Sequence, residues 1–239
     1  MLSSRDAELV QILDHALADA TLRGGSFLAC RPGCTPCCHG VFRISQLDAE
    51  RLRTALATLR VDAPERAFAI MARVRAAVAA LAPHFPGDAK TGLLAPESSV
   101  ENTTAASLES LLGALYEKDE KIATLIQNSA EEDDEAWDTF ADLPEANQAC
   151  PVLDPVTGRC ELYSGRPLTC RVFGPPVQNE DGIGMCELCY VGASEQQILT
   201  GEMPLAHLAL EAALDREMAE AGHTGETIIA WALLGGEAV

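Results

Sequence analysis

The stretch CRPGCTPCCHG, residues 30–40, decides how this chain folds, because it places four of the nine cysteines within nine residues. Cys34 and Cys37 form a C-x-x-C step, a spacing that lets two thiolates bind one metal ion or one face of a metal cluster. Adjacent cysteines in an extended chain point to opposite sides, so Cys37 and Cys38 are not expected to share one tetrahedral ion. The pair therefore indicates a polynuclear centre, two neighbouring metal sites, or one ligand beside a reactive thiol.

The other five cysteines follow after more than 100 residues that contain none. They begin in CPVLDPVTGRCELY, residues 150–163, where two short apolar runs flank a turn at 154–158. This pattern predicts a small hairpin with Cys150 and Cys160 close together near its open end.

The rest of this second block adds three cysteines. In SGRPLTCRVF, residues 164–173, Pro167 suits the first turn of a short helix that carries Cys170. CELC, residues 186–189, is a second C-x-x-C step. Two dense clusters that the fold brings together indicate a metal site, because thiols used only for packing would occur singly. The candidate metal ligands are Cys30, Cys34, Cys37, Cys38, Cys150, Cys160, Cys170, Cys186 and Cys189.

The C-x3-C-x2-C-C block and the downstream C-x-L-Y-x-x-R-P-x-x-C-R-x-F block together resemble the cysteine-cluster proteins described as zinc- or iron-chelating domains, the YkgJ-type family. The resemblance covers about residues 26–60 and 148–190. It implies a metal-chelating protein, commonly labelled as containing an iron–sulfur cluster, with no assigned biochemical role. The cysteines on the family's positions are Cys30, Cys34, Cys37, Cys38, Cys150, Cys160 and Cys170, with Cys186 or Cys189 left to complete the set. A more distant similarity to the cysteine-rich part of flagellin lysine methylases rests on the cysteine block alone.

The ligand type leaves two metals open, because all-thiolate sites hold both zinc and iron–sulfur clusters. The adjacent Cys37 and Cys38, and the surplus of thiols over four, favour a polynuclear centre. We therefore expect an iron–sulfur cluster, [4Fe-4S], and keep one or two zinc ions as the alternative. His39 is a candidate extra ligand, although a histidine after a turn more often caps the chain or faces solvent.

The charge of the chain excludes one large class of partners. The formal net charge is −19, of which −2 falls on residues 1–121 and −17 on residues 122–239. Phosphate contacts need a concentrated basic surface, so neither a nucleic acid nor an anionic membrane is an expected partner. We expect the acidity to serve solubility, with a cationic protein partner as the alternative.

No targeting or membrane segment is predicted. The first residues, MLSSRDAELV, lack the basic start and the apolar run of a signal peptide. Charges interrupt the apolar stretches before the roughly 18 residues that a membrane-spanning helix needs. The expected location is the cytoplasm, where stable disulfides are uncommon.

The rest of the chain is predicted to be mainly helical, since apolar residues recur every three or four positions, as Phe68, Met71, Val74 and Val78 do on the expected buried face of residues 64–81. Helices are expected over residues 4–22, 46–60, 64–81, 105–128 and 204–221, with a short strand at 41–44, a long loop at 86–104, and the acidic run 131–135 opening another helix. The predicted fold class is mainly α: a single helical domain over residues 1–239, with a small β-hairpin and cysteine-rich loops around a metal centre. A helical insertion at about 61–147 is expected to separate the two cysteine blocks.

Three functions fit these patterns, and the sequence leaves open whether the chain is an enzyme. The first is a metal-binding protein with a redox or metal-handling role. The second is a cluster-dependent enzyme in which a cysteine outside the ligand set takes part in methyl transfer or another modification of a substrate. The third is a scaffold that is stabilised by zinc and binds a protein partner.

Arg166 and Arg171 flank Cys170 and are expected either to neutralise the cluster or to pair with nearby acids.

Overall fold

The computed structural model describes residues 2–95, 147–179 and 182–235. The helices in these residues are α1 (Ser4–Gly24), α2 (Gln46–Asp62), α3 (Pro64–Leu81), α4 (Leu168–Val172), α5 (Glu195–Gly201), α6 (Leu208–Glu220) and α7 (Ile229–Leu234). The strands form antiparallel pairs: β1 (Arg43–Ser45) with β6 (Glu226–Ile228), β2 (Gly87–Asp88) with β3 (Leu93–Leu94), and β4 (Val177–Asn179) with β5 (Gly182–Gly184). The mainly α fold class with small hairpins is confirmed.

The main core lies between α2, α3 and α7. Leu52 and Ile70 have no exposed surface, and burying a side chain of this size contributes about 1.5–3 kcal/mol. The indole of Trp231 stacks on Phe85 with ring centroids 4.2 Å apart, and its Nε1 donates to the carbonyl oxygen of Ala89 at 2.8 Å. The C-terminal helix α7 is therefore an integral part of the core.

A second apolar cluster lies where α1 packs against α4, α5 and α6. A buried ion cluster connects this region to the main core. Arg51 of α2 donates to Asp6 of α1 at 2.7 Å and to Asp48 at 2.6 Å. Asp48 also accepts the backbone N–H of Leu168, at the start of α4, at 3.0 Å. One guanidinium thus helps to position the short helix that carries Cys170.

The long helices agree closely with the sequence pattern. The helix predicted over 4–22 is observed as α1, and Gly25, with φ +52°, follows its last residue. Ser45 Oγ accepts the backbone N–H of Asp48 at 3.2 Å and caps α2, while α3 spans the predicted residues. Phe68 was expected on the buried face of α3 but is 73% exposed. The helix turns the neighbouring Ile70 towards the core instead.

Other elements differ from the prediction. The helix expected over 204–221 begins only at Leu208 and ends at Glu220, before Gly222, whose φ is +90°. The pair β2–β3 lies inside the loop predicted at 86–104. The short helices α5 and α7 were not predicted, because six or seven residues carry too little periodicity. The predicted helices at 105–128 and around 131–135, and loop residues 96–104, lie outside the described residues.

One stretch, Pro64–His84, is long and apolar enough to cross a membrane by length and composition alone. Core helices of globular domains pass the same test. The stretch includes α3, whose buried face contributes Ile70, Val74 and Val78 to the main core. The expectation that no segment spans a membrane stays a prediction.

Replacing Glu211 of α6 by glutamine is expected to stabilise the protein above pH 7. Burial, together with the nearby Asp48 and Asp215, raises the pKa of Glu211 to about 7. The folded protein thus binds a proton that the unfolded chain, with an ordinary pKa of 4.5, has already released, so stability falls as pH rises between these values. Because the side chain is 27% exposed, we expect a gain of about 1–2 kcal/mol at pH 8 that shrinks towards pH 4.5.

Urea unfolding of Glu211→Gln and the parent protein at pH 5 and pH 8 measures this difference. The control is Glu220→Gln, an exposed position on the same helix, which should change stability little at either pH. An equal gain from Glu211→Gln at both pH values would show that burial of the charged form is not the cause.

Candidate metal centre

The two cysteine blocks lie side by side although more than 100 residues separate them. Gly40 donates its backbone N–H to the carbonyl oxygen of Gln148 at 3.0 Å, and Cys150 donates to that of Cys38 at 2.8 Å. These bonds form a short antiparallel contact between the end of the first block and the start of the second. The fold therefore brings the two blocks together, as expected from their composition.

The segment from Cys150 to Glu161 folds back on itself. Leu153 and Cys160 form an antiparallel bridge, as the predicted hairpin requires. Arg73 of α3 donates to the carbonyl oxygen of Pro151 at 2.8 Å and pairs with Glu161. This hairpin is therefore attached to the main core by contacts that involve no thiol.

The two arginines that flank Cys170 have different roles. Arg171 is buried, pairs with Asp14 of α1 at 2.7 Å, and donates to backbone carbonyl oxygens of the preceding loop, including that of Ser164 at 2.9 Å. Its role is to hold that loop in place. Arg166 instead lies near thiols, and its strongest thiol interaction is with Cys170. Arg166 is therefore positioned to balance negative charge on the cysteines, with weaker electrostatic contributions from Arg171 at Cys160 and from Arg73 at Cys150.

The adjacent cysteines do not have the geometry that we expected. Residues Pro36–Cys38 form a 3-10 helix rather than an extended strand, with Cys38 N–H donating to the carbonyl oxygen of Thr35 at 2.7 Å. The Cys38 thiol donates a hydrogen bond to the sulfur of Cys37. The expectation that the two side chains point to opposite sides is wrong, because the helical turn replaces the strand alternation on which it relied.

Five thiols from both blocks line one cavity of about 30 Å³. We call these cysteines the inner set: Cys37, Cys38, Cys150, Cys160 and Cys170. Most of the other lining residues are apolar, among them Phe42, Val152 and Ile229. Arg166 is the one charged residue among the described residues that line the cavity. The cysteine spacing did not predict Ile229, which lines the cavity from the C-terminal helix.

The pKa values of the inner set differ strongly from one another. Burial raises the pKa of Cys150 and of Cys170 to about 12. The hydrogen bond from Cys38, with a contribution from the nearby Arg166, lowers the pKa of Cys37 to about 6. Cys37 is therefore more readily deprotonated than an ordinary thiol, whereas metal binding must displace protons from the buried thiols.

The remaining four cysteines do not line the inner cavity and interact electrostatically with one another. We call them the outer set: Cys30, Cys34, Cys186 and Cys189. The sulfurs of Cys30 and Cys189 are 4.0 Å apart, and the electrostatic neighbours of Cys30 also include Cys34 and Cys186. The sequence left open which cysteine of the CELC segment would complete the site, and the structure brings both of them near the first block.

An open cleft of about 540 Å³ borders both sets. Cys37, Cys38 and Cys160 of the inner set line it, together with Arg166 and two cysteines of the outer set, Cys30 and Cys34. His39 is exposed and lines neither this cleft nor the inner cavity. The cleft gives solvent a route to the thiols.

The donor chemistry fits a thiophilic metal. All nine cysteines are free thiols, and thiolates are the ligands that zinc and iron–sulfur clusters prefer. Among the described residues, no three His, Cys, Asp or Glu side chains already form a closed site for a single ion. Loading would therefore draw sulfurs together around the metal.

Comparison with known families agrees with this chemistry. Residues 113–190 match the family model described as "CxxCxxCC: Putative zinc- or iron-chelating domain". The match covers about a third of the chain, 78 of 239 residues, and makes this region similar to that domain family. The matched region contains the whole second cysteine block, whereas the first block, residues 30–38, lies outside it. Metal binding is thereby supported for this chain at the level of zinc or iron.

Searches of curated proteins and of solved structures found no match to this chain.

Proposed function

We propose that the inner set holds an iron–sulfur cluster, [4Fe-4S], and that this protein has a redox or metal-handling role in the cytoplasm. The observation that carries the proposal is the meeting of five thiols from two distant blocks around one apolar cavity beside Arg166. A cluster with thiolate ligands is anionic, and an unbalanced charge in an apolar site is unfavourable. The guanidinium of Arg166 offsets that charge.

The cleft supplies the space for a centre larger than one ion. Cys37, Cys38 and Cys160 border both the enclosed cavity and the open cleft of about 540 Å³. A polynuclear centre on the cleft side can therefore take ligands from both blocks. When bound, such a cluster would supply one-electron redox chemistry, while the chain's own residues hold it, exclude water on the apolar side and balance its charge.

Zinc is the alternative occupant of the inner set. The cavity that the inner set lines measures about 30 Å³, which suits one or two ions better than a cluster. With zinc bound, the protein would be a scaffold that the metal stabilises and that binds a protein partner.

A cluster-dependent enzyme is the other alternative, and one observation favours it. Five thiols exceed the four protein ligands of a [4Fe-4S] cluster, and Cys37, whose pKa is lowered to about 6, borders the open cleft. A cysteine left outside the ligand set would be accessible there to a substrate.

Metal analysis of the anaerobically purified protein tests the proposal. We expect about four iron atoms and four sulfides per chain, a brown colour that dithionite bleaches, and loss of the iron in Cys160→Ser. The control Met185→Leu removes an exposed sulfur that is not a thiol and should retain the iron. Stoichiometric zinc without iron or sulfide would overturn the cluster proposal.

Arg166 offers a finer test of the same centre. Reduction adds negative charge to the cluster, which the guanidinium stabilises. Arg166→Gln should therefore lower the reduction potential of the cluster while preserving its iron content. An unchanged potential in a fully loaded variant would show that Arg166 does not act on the cluster.

A further inference from the structure

We propose that the outer set is a second metal site, separate from the inner set, in which four thiolates bind one zinc ion. The inference goes beyond the cluster proposed above, and neither depends on the other. It assigns a use to Cys30, Cys34, Cys186 and Cys189, which exceed the needs of one cluster. The ligand class is a divalent ion with a preference for tetrahedral sulfur coordination.

The spacing of the sulfurs carries the first part of the argument. Two thiolates that bind one zinc ion, each at about 2.3 Å, lie about 3.8 Å apart in a tetrahedral shell. The sulfurs of Cys30 and Cys189 are 4.0 Å apart. Cys34 and Cys186 interact electrostatically with this pair. A C-x3-C pair and a C-x-x-C pair thus lie near each other, and they would supply the four ligands of a structural zinc site once Cys34 and Cys186 approach the Cys30–Cys189 pair.

The backbone around these thiols is arranged for close approach. Cys189 donates its N–H to the carbonyl oxygen of Cys186 at 2.8 Å, which closes the C-x-x-C turn, and Cys186 donates to that of Gly174 at 3.2 Å. Gly174 has φ +131°, and a Cβ there would lie 2.6 Å from the sulfur of Cys30. Only glycine therefore lets the Cys30 sulfur reach this turn. Tyr190, directly after Cys189, adopts a left-handed conformation with φ +56°, which non-glycine residues rarely do.

Contacts without thiols already hold the two sides of the site together. Tyr190 donates its backbone N–H to the carbonyl oxygen of Phe27 at 2.7 Å, and the two rings stack with centroids 5.9 Å apart. Cys189 is buried, whereas Cys30 is exposed. Binding would thus require Cys34 and Cys186 to approach a pair of sulfurs that already lie 4.0 Å apart.

The position of the site indicates what a bound ion would do. Residues 30–34 form one rim of the open cleft, and the outer set would fasten that rim to the segment 174–190. A zinc ion here would therefore stabilise the entrance to the inner set without entering it. Zinc suits this role because it has no redox chemistry of its own.

Metal content of the full chain tests the inference, with zinc and iron measured on the same samples. After anaerobic loading with zinc and with iron and sulfide, Cys30→Ser and Cys186→Ser should each fall from about one bound zinc ion per chain to near zero and should retain their iron. Cys160→Ser, from the inner set, should retain zinc. Met185→Leu, next to Cys186, is the matched control and should lose neither metal.

Each other outcome has a defined meaning. Retention of zinc in both outer-set variants would overturn the second site, as would a Cys30–Cys189 disulfide in the reduced, metal-loaded protein. Loss of iron and zinc together from the outer-set variants would show one shared centre and would also overturn it, while an iron–sulfur cluster would remain supported with ligands from both sets. If Cys160→Ser kept its iron while the outer-set variants lost zinc, the cluster assignment to the inner set would fail and the second site would be supported.

Discussion

Removing the metal will loosen the cysteine-bearing loops while the helical core stays folded. The described residues 173–179 and 182–192 contain only the short pair β4–β5 as regular structure, so bound metal should supply much of their order. By contrast, α2, α3 and α7 pack on one another through apolar side chains, and only the edge of this core, at Ile229, meets Cys150 and Cys160. After chelation, we expect a large loss of hydrogen-exchange protection in residues 30–38 and 173–192, with most helical circular dichroism retained.

The structure makes this expectation more specific than the sequence did. The hairpin that begins at Cys150 is attached to α3 through Arg73 and Glu161, so it should lose less protection than residues 173–192. Cys37→Ser should reproduce the loosening without a chelator, and for a polynuclear centre Cys38→Ser should do so as well. Thr35→Ser, in the same turn, is the control that keeps the thiols. Unchanged protease resistance after complete metal removal would contradict the coupling of metal to local folding.

Replacing Arg51 by methionine will be among the most destabilising changes that a single side chain can make here. The guanidinium is 3% exposed and pairs with two buried carboxylates, Asp6 and Asp48. Removing one partner of a buried ion pair leaves an uncompensated charge, which costs about 3–5 kcal/mol. Because Asp48 also accepts the N–H of Leu168 at 3.0 Å, the loss should extend to α4 and Cys170.

Urea unfolding of Arg51→Met measures the loss, and Arg60→Met, at an exposed position on the same helix, is the control. The triple variant Arg51→Met, Asp6→Asn, Asp48→Asn should recover part of the stability, since it also removes the two buried carboxylate charges that Arg51→Met leaves without a partner. If the triple variant were no more stable than Arg51→Met, unpaired buried carboxylates would not explain the loss of stability in Arg51→Met.

Local patterns in the sequence were sufficient for the long helices and for their caps. The 18 residues of α3 lie where apolar periodicity places them, and Ser45 caps α2 through a bond to a residue three positions on. Such features depend on neighbours within one or two turns of the chain, so sequence spacing describes them directly. The same reasoning failed for Phe68, because the face that packs depends on what the helix meets.

The sequence by itself also determined that nine thiols in two clusters would dominate the chemistry. Which thiols belong together was decided only by the tertiary structure. Cys37 and Cys38 share one cavity because Pro36–Cys38 turns as a 3-10 helix, and Ile229 reaches that cavity from the far end of the chain. Contacts between such distant residues depend on how the helices pack, and the spacing of cysteines along the chain carries no information about that packing.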